Sequence, residues 1–470
     1  MANNHRVYGN PRRTGPLHDR IEFAPGGVAY AKGQVIIPDV RVNRARQASR
    51  RLSRAQSSPR AALNKVLFHD VPDPRGLVDK LQTAGIEAGL NHVLFANGCC
   101  CSQHQHSPCP PHPSAPGAEA FYAANPFYAN PFYANPSSSC CCGSGAAAAN
   151  PFYANPFYAN PNTPVTPSAS TGDPQRSSAQ PAAGPPGTGV PIRPGQPPSN
   201  PNEFWIAIVD TGFAADRDVD GVNILPANTI LGGVDVSGDW TDEPDEPGDG
   251  YLDPVAGHGT FIAGIIEQTS PGHHLHVEQV LSSYGDGDEV EIAETLHTLA
   301  NLNNPPNIVN LSFSGYSQLG MTTLAGAVSA IQAVGTIVVA SAGNDATCLP
   351  TYPASLPGVI SVGAIDDDGD PAEFTNYGPW VRASAPGVGR VSTFFTFDGS
   401  EQPLMAGGND PDDFPSGAMW SGTSFAAPYV AAKLAEMMDS QSGMTADQAI
   451  EAVVDDPALN RIPMLGTIVT

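Results

Sequence analysis

Ser421-Gly422-Thr423-Ser424-Phe425-Ala426-Ala427-Pro428, near the C-terminal end of the chain, sets a serine among small residues just ahead of an apolar pattern. Small residues precede Ser424, and Val430, Leu434, Met437 and Met438 follow at three- and four-residue steps, the apolar spacing of a helix. The Ser424 hydroxyl is therefore expected at a helix start, on a turn whose side chains are too small to cover it. Unpaired N–H groups and the positive end of the helix dipole favour negative charge developing there. Pro428 is tolerable because few backbone bonds are lost so close to a helix start. A lone Ser-Gly-Thr-Ser reads as well as a helix cap, so the choice between cap and nucleophile falls to the rest of the chain.

Upstream of that helix, residues 202–470 alternate strands and helices, the pattern of a parallel sheet covered on both faces. Trp205-Ile206-Ala207-Ile208-Val209 reads as a buried strand ending at Asp210, and His258 opens an apolar helix through Phe261, Ile262, Ile265 and Ile266. Strands are expected at Val277–Leu281, 308–312, 336–340 and 359–364, with helices at Glu291–Leu302 and Leu324–Val334. Chemistry in such folds sits at strand C-terminal ends, where Asp210 and Asn344 fall.

Three short motifs stand in one order: Asp210-Thr211-Gly212, Gly257-His258-Gly259-Thr260 and Gly422-Thr423-Ser424. With them, residues 202–470 closely resemble the subtilisin-like serine peptidases, whose order of acid, base and nucleophile is the same. Leu311-Ser312-Phe313-Ser314-Gly315 resembles that family's substrate-binding strand, and Ala340-Ser341-Ala342-Gly343-Asn344 its oxyanion-hole segment. Tyr352-Pro353-Ala354 and Ala385-Pro386-Gly387 also sit where the family has them. The resemblance implies a subtilisin-like α/β fold and peptide-bond hydrolysis. His258 would be the base that activates Ser424 and then the acid for the leaving amine. Asp210 would hold the imidazole tautomer, and Asn344 would donate to the oxyanion beside the Ser424 N–H. An extended peptide is expected as an added strand beside Ser312, Phe313, Ser314 and Gly315 on one side and Tyr284–Asp288, with Gly285, on the other; Ser341, Ala342 and Gly343 are further candidates for substrate contact. Singly, Asp210 is a strand-end turn former, His258 a helix cap and Asn344 a turn residue; the ordered set favours catalysis. Asp286, Asp288 and Asp345 near the expected cleft would tolerate basic substrate residues, or are simply solvated loop acids.

No cofactor is implied as required. Relatives often hold Ca²⁺, and Asp242, Glu243, Asp245, Glu246, Asp249 and Asp253 offer carboxylates, but prolines split them and they fit no defined calcium spacing.

The N-terminal part differs in composition. Residues 1–98 carry 15 Lys/Arg against 7 Asp/Glu, whereas residues 201–470 carry 5 against 37. So acidic a body repels phosphate and argues against a nucleic-acid partner; the basic segment is instead a candidate to lie against it. Residues 1–19 read as disordered and 20–97 as a small α+β, ferredoxin-like unit. Its expected elements are strands at 33–37, 65–68 and 91–95, a basic helix over Val42–Ala55 and a helix capped by Asp73. This unit resembles, more faintly, the family's inhibitory propeptides, which implies an intramolecular inhibitor or folding aid, either cut away or permanently attached.

Residues 98–201 form a low-complexity linker. Cys99-Cys100-Cys101, His104, His106, Cys109 and His112 are followed by Asn-Pro-Phe-Tyr-Ala units at 125–129, 130–134, 150–154 and 155–159, with Cys140-Cys141-Cys142 between them. The Cys/His cluster lacks the paired spacing of a defined zinc site, leaving a soft-metal site, a redox-sensitive tether or a flexible one. The repeats suggest two rival functions: a peptide-binding pseudo-enzyme or scaffold that acts through its Phe-Tyr pairs, or a maturation protease for a ribosomal peptide. Adjacent cysteines, a polar N-terminus and the lack of an 18-residue apolar run point to a cytoplasmic protein with no membrane span.

Overall fold

The computed structural model describes residues 21–24, 28–96, 112–114, 180–181, 197–198, 203–214, 236–238, 252–253, 255–318, 320–394, 397–398, 413–414, 417–440 and 444–470. The Asn-Pro-Phe-Tyr-Ala repeats, the cysteine triplets, most of the acidic loop at 242–253 and the linker boundaries at 98 and 201 lie outside these residues.

The N-terminal unit is built from β1 (Ile21–Ala24), β2 (Val28–Pro38), α1 (Val42–Ala48), α2 (Arg50–Arg54), β3 (Gln56–Arg60), β4 (Lys65–His69), α3 (Pro74–Thr83) and β5 (Gly89–Phe95). All its strand pairings are antiparallel. Val35, Ile37, Leu52, Phe68, Leu77, Val78 and Leu81 form its own core. The Asp73 side chain caps α3 by accepting from the Gly76 N–H, as expected. The single helix expected over Val42–Ala55 is two, because buried Ser49 adopts an extended conformation (φ −141°, ψ 116°) between them. Strand β3 was not foreseeable from alternation: Gln-Ser-Ser-Pro-Arg is an exposed edge strand, where no face is buried and proline is tolerated.

The C-terminal unit contains β6 (Trp205–Asp210), β7 (Val236–Gly238), α4 (His258–Thr269), β8 (His274–Gln279), β9 (Asp286–Asp288), α5 (Glu289–Ala300), β10 (Ile308–Leu311), α6 (Thr322–Ala333), β11 (Ile337–Ser341), β12 (Ile360–Ile365), β13 (Ala383–Pro386), β14 (Arg390–Thr393), β15 (Gly417–Trp420), α7 (Thr423–Ser440), α8 (Ala446–Ile450), β16 (Arg461–Ile462) and β17 (Gly466–Ile468). Its main sheet runs β16-β17-β13-β12-β11-β10-β6-β8-β7, parallel throughout except for the β16–β17 hairpin. Alternate residues of each strand feed different cores, as the period of two demands. Ile206, Ile208, Ile337 and Val339 meet α4 and α7 on one face. Trp205, Ala207, Val209, Val338 and Ala340 meet α5 and α6 on the other. Every residue of β6 is buried, which explains its unbroken apolar run and carries Asp210 to a sealed strand end.

Strand β9 belongs to the N-terminal sheet. It pairs antiparallel with β5, matching Asp286 with Phe95, Gly287 with Leu94 and Asp288 with Val93. The small domain is thereby seated on α5 and α6. Arg60 pairs with Glu294 at 3.0 Å, and the Val290 N–H donates to Asn91 Oδ1 at 3.2 Å. Buried His92 Nδ1 lies 2.7 Å from Glu289 Oε2, while Glu289 Oε1 accepts from the Thr323 and Leu324 N–H groups at the start of α6.

Candidate active site

Three elements converge at the C-terminal edge of the main sheet. Asp210 ends β6, His258 begins α4 behind the left-handed Gly257, and Ser424 is the second residue of α7. The start of α4 and the turn after β6 approach because glycine permits it: a Cβ on Gly259 would overlap the Gly212 carbonyl oxygen. His258 Nδ1 lies 2.7 Å from Asp210 Oδ1, which also accepts from the Thr211 N–H at 2.8 Å. A carboxylate oxygen only accepts, so Nδ1 carries the proton and a neutral ring offers its lone pair at Nε2. Trp420 meets the imidazole edge-on at 5.5 Å, and Phe425 lies at 5.4 Å, fixing the ring plane. Asp210 and His258 are fully buried.

The Ser424 hydroxyl does not bond His258. It lies 3.0 Å from the carbonyl oxygen of Ala96, the end of the β5 segment, and 3.2 Å from the Ser312 carbonyl. His258 Nε2 is buried with no hydrogen-bond partner among the described residues. The seated N-terminal segment thus turns the hydroxyl proton away from the neighbouring imidazole.

Asn344 is oriented by its own bonds. Its Oδ1 accepts from the Thr423 N–H at 2.9 Å and from Thr423 Oγ1 at 2.8 Å. A backbone N–H can only donate, so the amide oxygen must face Thr423 and the NH₂ end faces outward beside Gly422. Thr423 Oγ1 in turn accepts from the Gly343 N–H at 3.1 Å. Gly343 itself has φ +102°, and a side chain there would collide with Asn376 Nδ2.

The expected peptide-binding edges hold the chain's own segment. Phe95 and Ser314 exchange two backbone bonds of 2.8 Å, and the Ala96 N–H donates to the Gly285 carbonyl at 3.0 Å. Ser312 keeps its carbonyl toward Ser424 Oγ, while its side chain donates to the Ser424 carbonyl at 2.8 Å. Gly315 lies beside Leu94, but its backbone groups pair with Tyr352. Phe313 is buried in the core shared with Leu94 and Met321. Ser341, Ala342 and Gly343 stand behind Asn344: Ala342 donates to Val362, and its carbonyl accepts from Thr351 Oγ1 and Asn376 Nδ2.

The three cleft acids are each engaged: Asp286 with Ser282 Oγ, Asp288 as the cap of α5, and Asp345 with the Tyr316 hydroxyl at 2.8 Å. Sequence reading missed Asn376, whose side chain accepts from the Asp345 and Thr347 N–H groups and braces the segment carrying Asn344. It also missed the His92–Glu289 pair. Neither belongs to a local motif, since their partners are distant in sequence. Among the described residues no group of three or more His, Cys, Asp or Glu side chains is placed to hold a metal ion. Likewise no helix among them is long and apolar enough to cross a membrane.

The sequence profile of the Subtilase family matches residues 202–461, more than half of the chain. The chain belongs to the subtilase family. Among individual subtilases, the thermophilic serine proteinase of Bacillus sp. (strain AK1) is 32% identical over 263 residues, which cover 53% of this chain and 56% of that protein. Subtilisin Savinase of Lederbergia lenta is 29% identical over 235 residues, 48% of this chain and 72% of that protein. A crystal structure of a cold-adapted subtilisin-like serine proteinase aligns with a TM-score of 0.41 at 24% identity, covering 59% of this chain and 93% of that one. This subtilase spans about half the length of the first curated relatives it matches.

Proposed function

We propose that the chain is a serine endopeptidase held latent by its own N-terminal domain. The observation that carries this reading is the delivery of an extended segment, Val93–Ala96, between two strand edges to a serine that neighbours an aspartate-bound histidine. A substrate peptide would take the place of that segment, using the Ser314 and Gly285 backbone groups for register. Leu94 and Ala96 pack into the protease core with Val255, Leu281, Phe313 and Met321. The corresponding substrate positions would therefore favour a leucine-sized apolar residue and a small one.

His258 Nε2 takes the Ser424 proton as Oγ attacks the carbonyl carbon, and Asp210 stabilises the resulting imidazolium. The oxyanion develops between the Asn344 NH₂ group and the start of α7, where donors are already aligned and need no reorganisation. The imidazolium then protonates the departing amine, and water repeats the sequence to release the acyl group.

The reading is tested by labelling the full chain and its Ser424→Ala variant with a fluorophosphonate, alongside hydrolysis of a peptide in which Leu-Phe-Ala is joined through the alanine carbonyl to an amine reporter. Labelling and turnover in the wild type and none in the variant are expected. Equal, negligible labelling of both, persisting after residues 1–97 are removed from the folded chain by limited proteolysis, would end the peptidase assignment. Self-processing would appear in mass spectra as a cut within two bonds of Ala96, absent from Ser424→Ala.

A further inference from the structure

Cys348 lies four residues beyond Asn344, is 2% exposed and is disulfide-bonded. The chain has eight cysteines, and the other seven all fall within residues 99–142. A bond within the chain must therefore join the linker to the catalytic domain just behind the oxyanion segment. Four further contacts show that the linker lies against that domain at several points. His112 stacks edge-on against Tyr377 with ring centroids 4.8 Å apart. His112 Nδ1 accepts from the Ser114 N–H at 3.2 Å, which leaves Nε2 as the donor to the Thr375 carbonyl at 3.1 Å. Gln180–Pro181 pair with Met419 and Ala418 of β15, and the Pro198 carbonyl accepts from Asn304 at 3.5 Å.

Tyr377 connects the docked His112 to the surroundings of Cys348. It shares a small core with Cys348, Ala342, Val381, Met464 and Leu465, and its N–H donates to the Thr347 carbonyl at 3.0 Å. The ring that receives His112 is thus packed beside Cys348. Cys109 precedes His112 by three residues, a span of at most ~10 Å of extended chain. The other six cysteines are eleven or more residues from His112, and closing a longer loop costs more entropy.

We propose that Cys348 is bonded to Cys109, and that this disulfide with the docked His112 clamps the linker permanently to the back of the oxyanion segment. The two thiols give up two protons and two electrons to a protein or low-molecular-weight disulfide, which leaves as two thiols. A cut near Ala96 then frees the small domain, while the linker and its Asn-Pro-Phe-Tyr-Ala repeats stay on the enzyme. A persistent bond of this kind belongs in an oxidising compartment, against the cytoplasmic location expected from the N-terminal residues. The clamp stands whether or not the chain is a peptidase.

The test is disulfide mapping of the full-length chain. Free thiols are blocked in acid without reductant, and the chain is cleaved after acidic residues, giving peptides 88–119, 120–173 and 346–366. The expected result is a reductant-sensitive species joining 88–119 to 346–366, with fragment ions placing the bond at Cys109 and its loss in Cys109→Ser. Alkylated Cys348, a link to 120–173, or fragment ions at Cys99, Cys100 or Cys101 would each overturn the proposal. Thermal denaturation supplies a second readout: reductant should lower the melting temperature of the wild type by several degrees and leave Cys348→Ala unmoved. An equal drop in both would show that the bond does not brace this region.

Discussion

Replacing His92 with alanine should unlatch the N-terminal domain without touching the catalytic groups. The His92–Glu289 contact is 2.7 Å long, both side chains are buried, and the other ring nitrogen lies 3.0 Å from Ser317 Oγ. Removing the imidazole leaves Glu289 Oε1 bonded to the start of α6 but takes from buried Oε2 its partner. A hydrogen bond to a charged group contributes about 1.5–3 kcal/mol, so the docked state should weaken about 10- to 150-fold. Fluorophosphonate can reach Ser424 only when Ala96 has left it, so its rate on the uncut chain reports the open fraction. The rate is read from the full-length band, and His92→Ala should label at least tenfold faster than wild type. Arg60→Ala supplies the contrast: its 3.0 Å pair with Glu294 is about one-third exposed on each side, and such pairs contribute less than about 1 kcal/mol, so a change of fivefold or less is expected. A His92→Ala chain that labels at the wild-type rate would refute the claim that this buried pair latches the domain.

Asn344→Ala should lower kcat by about 10²–10³ with little change in KM, a magnitude known from subtilisin itself rather than worked out from this chain; steady-state kinetics on the processed enzyme decide it. Gly259→Ala should abolish turnover, since the new methyl meets the Gly212 carbonyl and must part the His258 and Asp210 turns; full activity would contradict the close approach. Burial raises Glu267 to about 7, above its ordinary carboxylate value. Its neutral form is thus favoured by folding, and the resulting stability is fully present below about pH 4.5 and lost as pH rises to about 7. Glu267→Gln should remove up to roughly 3 kcal/mol of that decline, visible as a flatter plot of melting temperature against pH.

Local patterns in the chain were enough for the parallel sheet, its two covering helix layers and the three motifs that bear Asp210, His258 and Ser424. An unbroken apolar run such as Trp205–Val209 admits few alternatives, and small residues around a serine or histidine announce close backbone approach. Element ends slipped, by three residues at the start of His274–Gln279 and two at its end, because caps and register depend on neighbours. Edge strand Gln56–Arg60 and the break at Ser49 were illegible, since neither leaves an apolar period.

Other features depended on side chains far apart in sequence. The Asn344 amide is aimed by Thr423, and the segment behind it by Asn376. The latch joins His92 to Glu289, and the Ser424 hydroxyl turns to Ala96 rather than to the imidazole beside it. Periodicity reports which face of an element seeks burial, so one sequence could yield the layers and the order of the motifs. It carries no record of which distant donor meets which acceptor, and only the folded chain, by bringing residues 91–96 between Gly285 and Ser314, decided that the cleft is occupied by its own N-terminal domain.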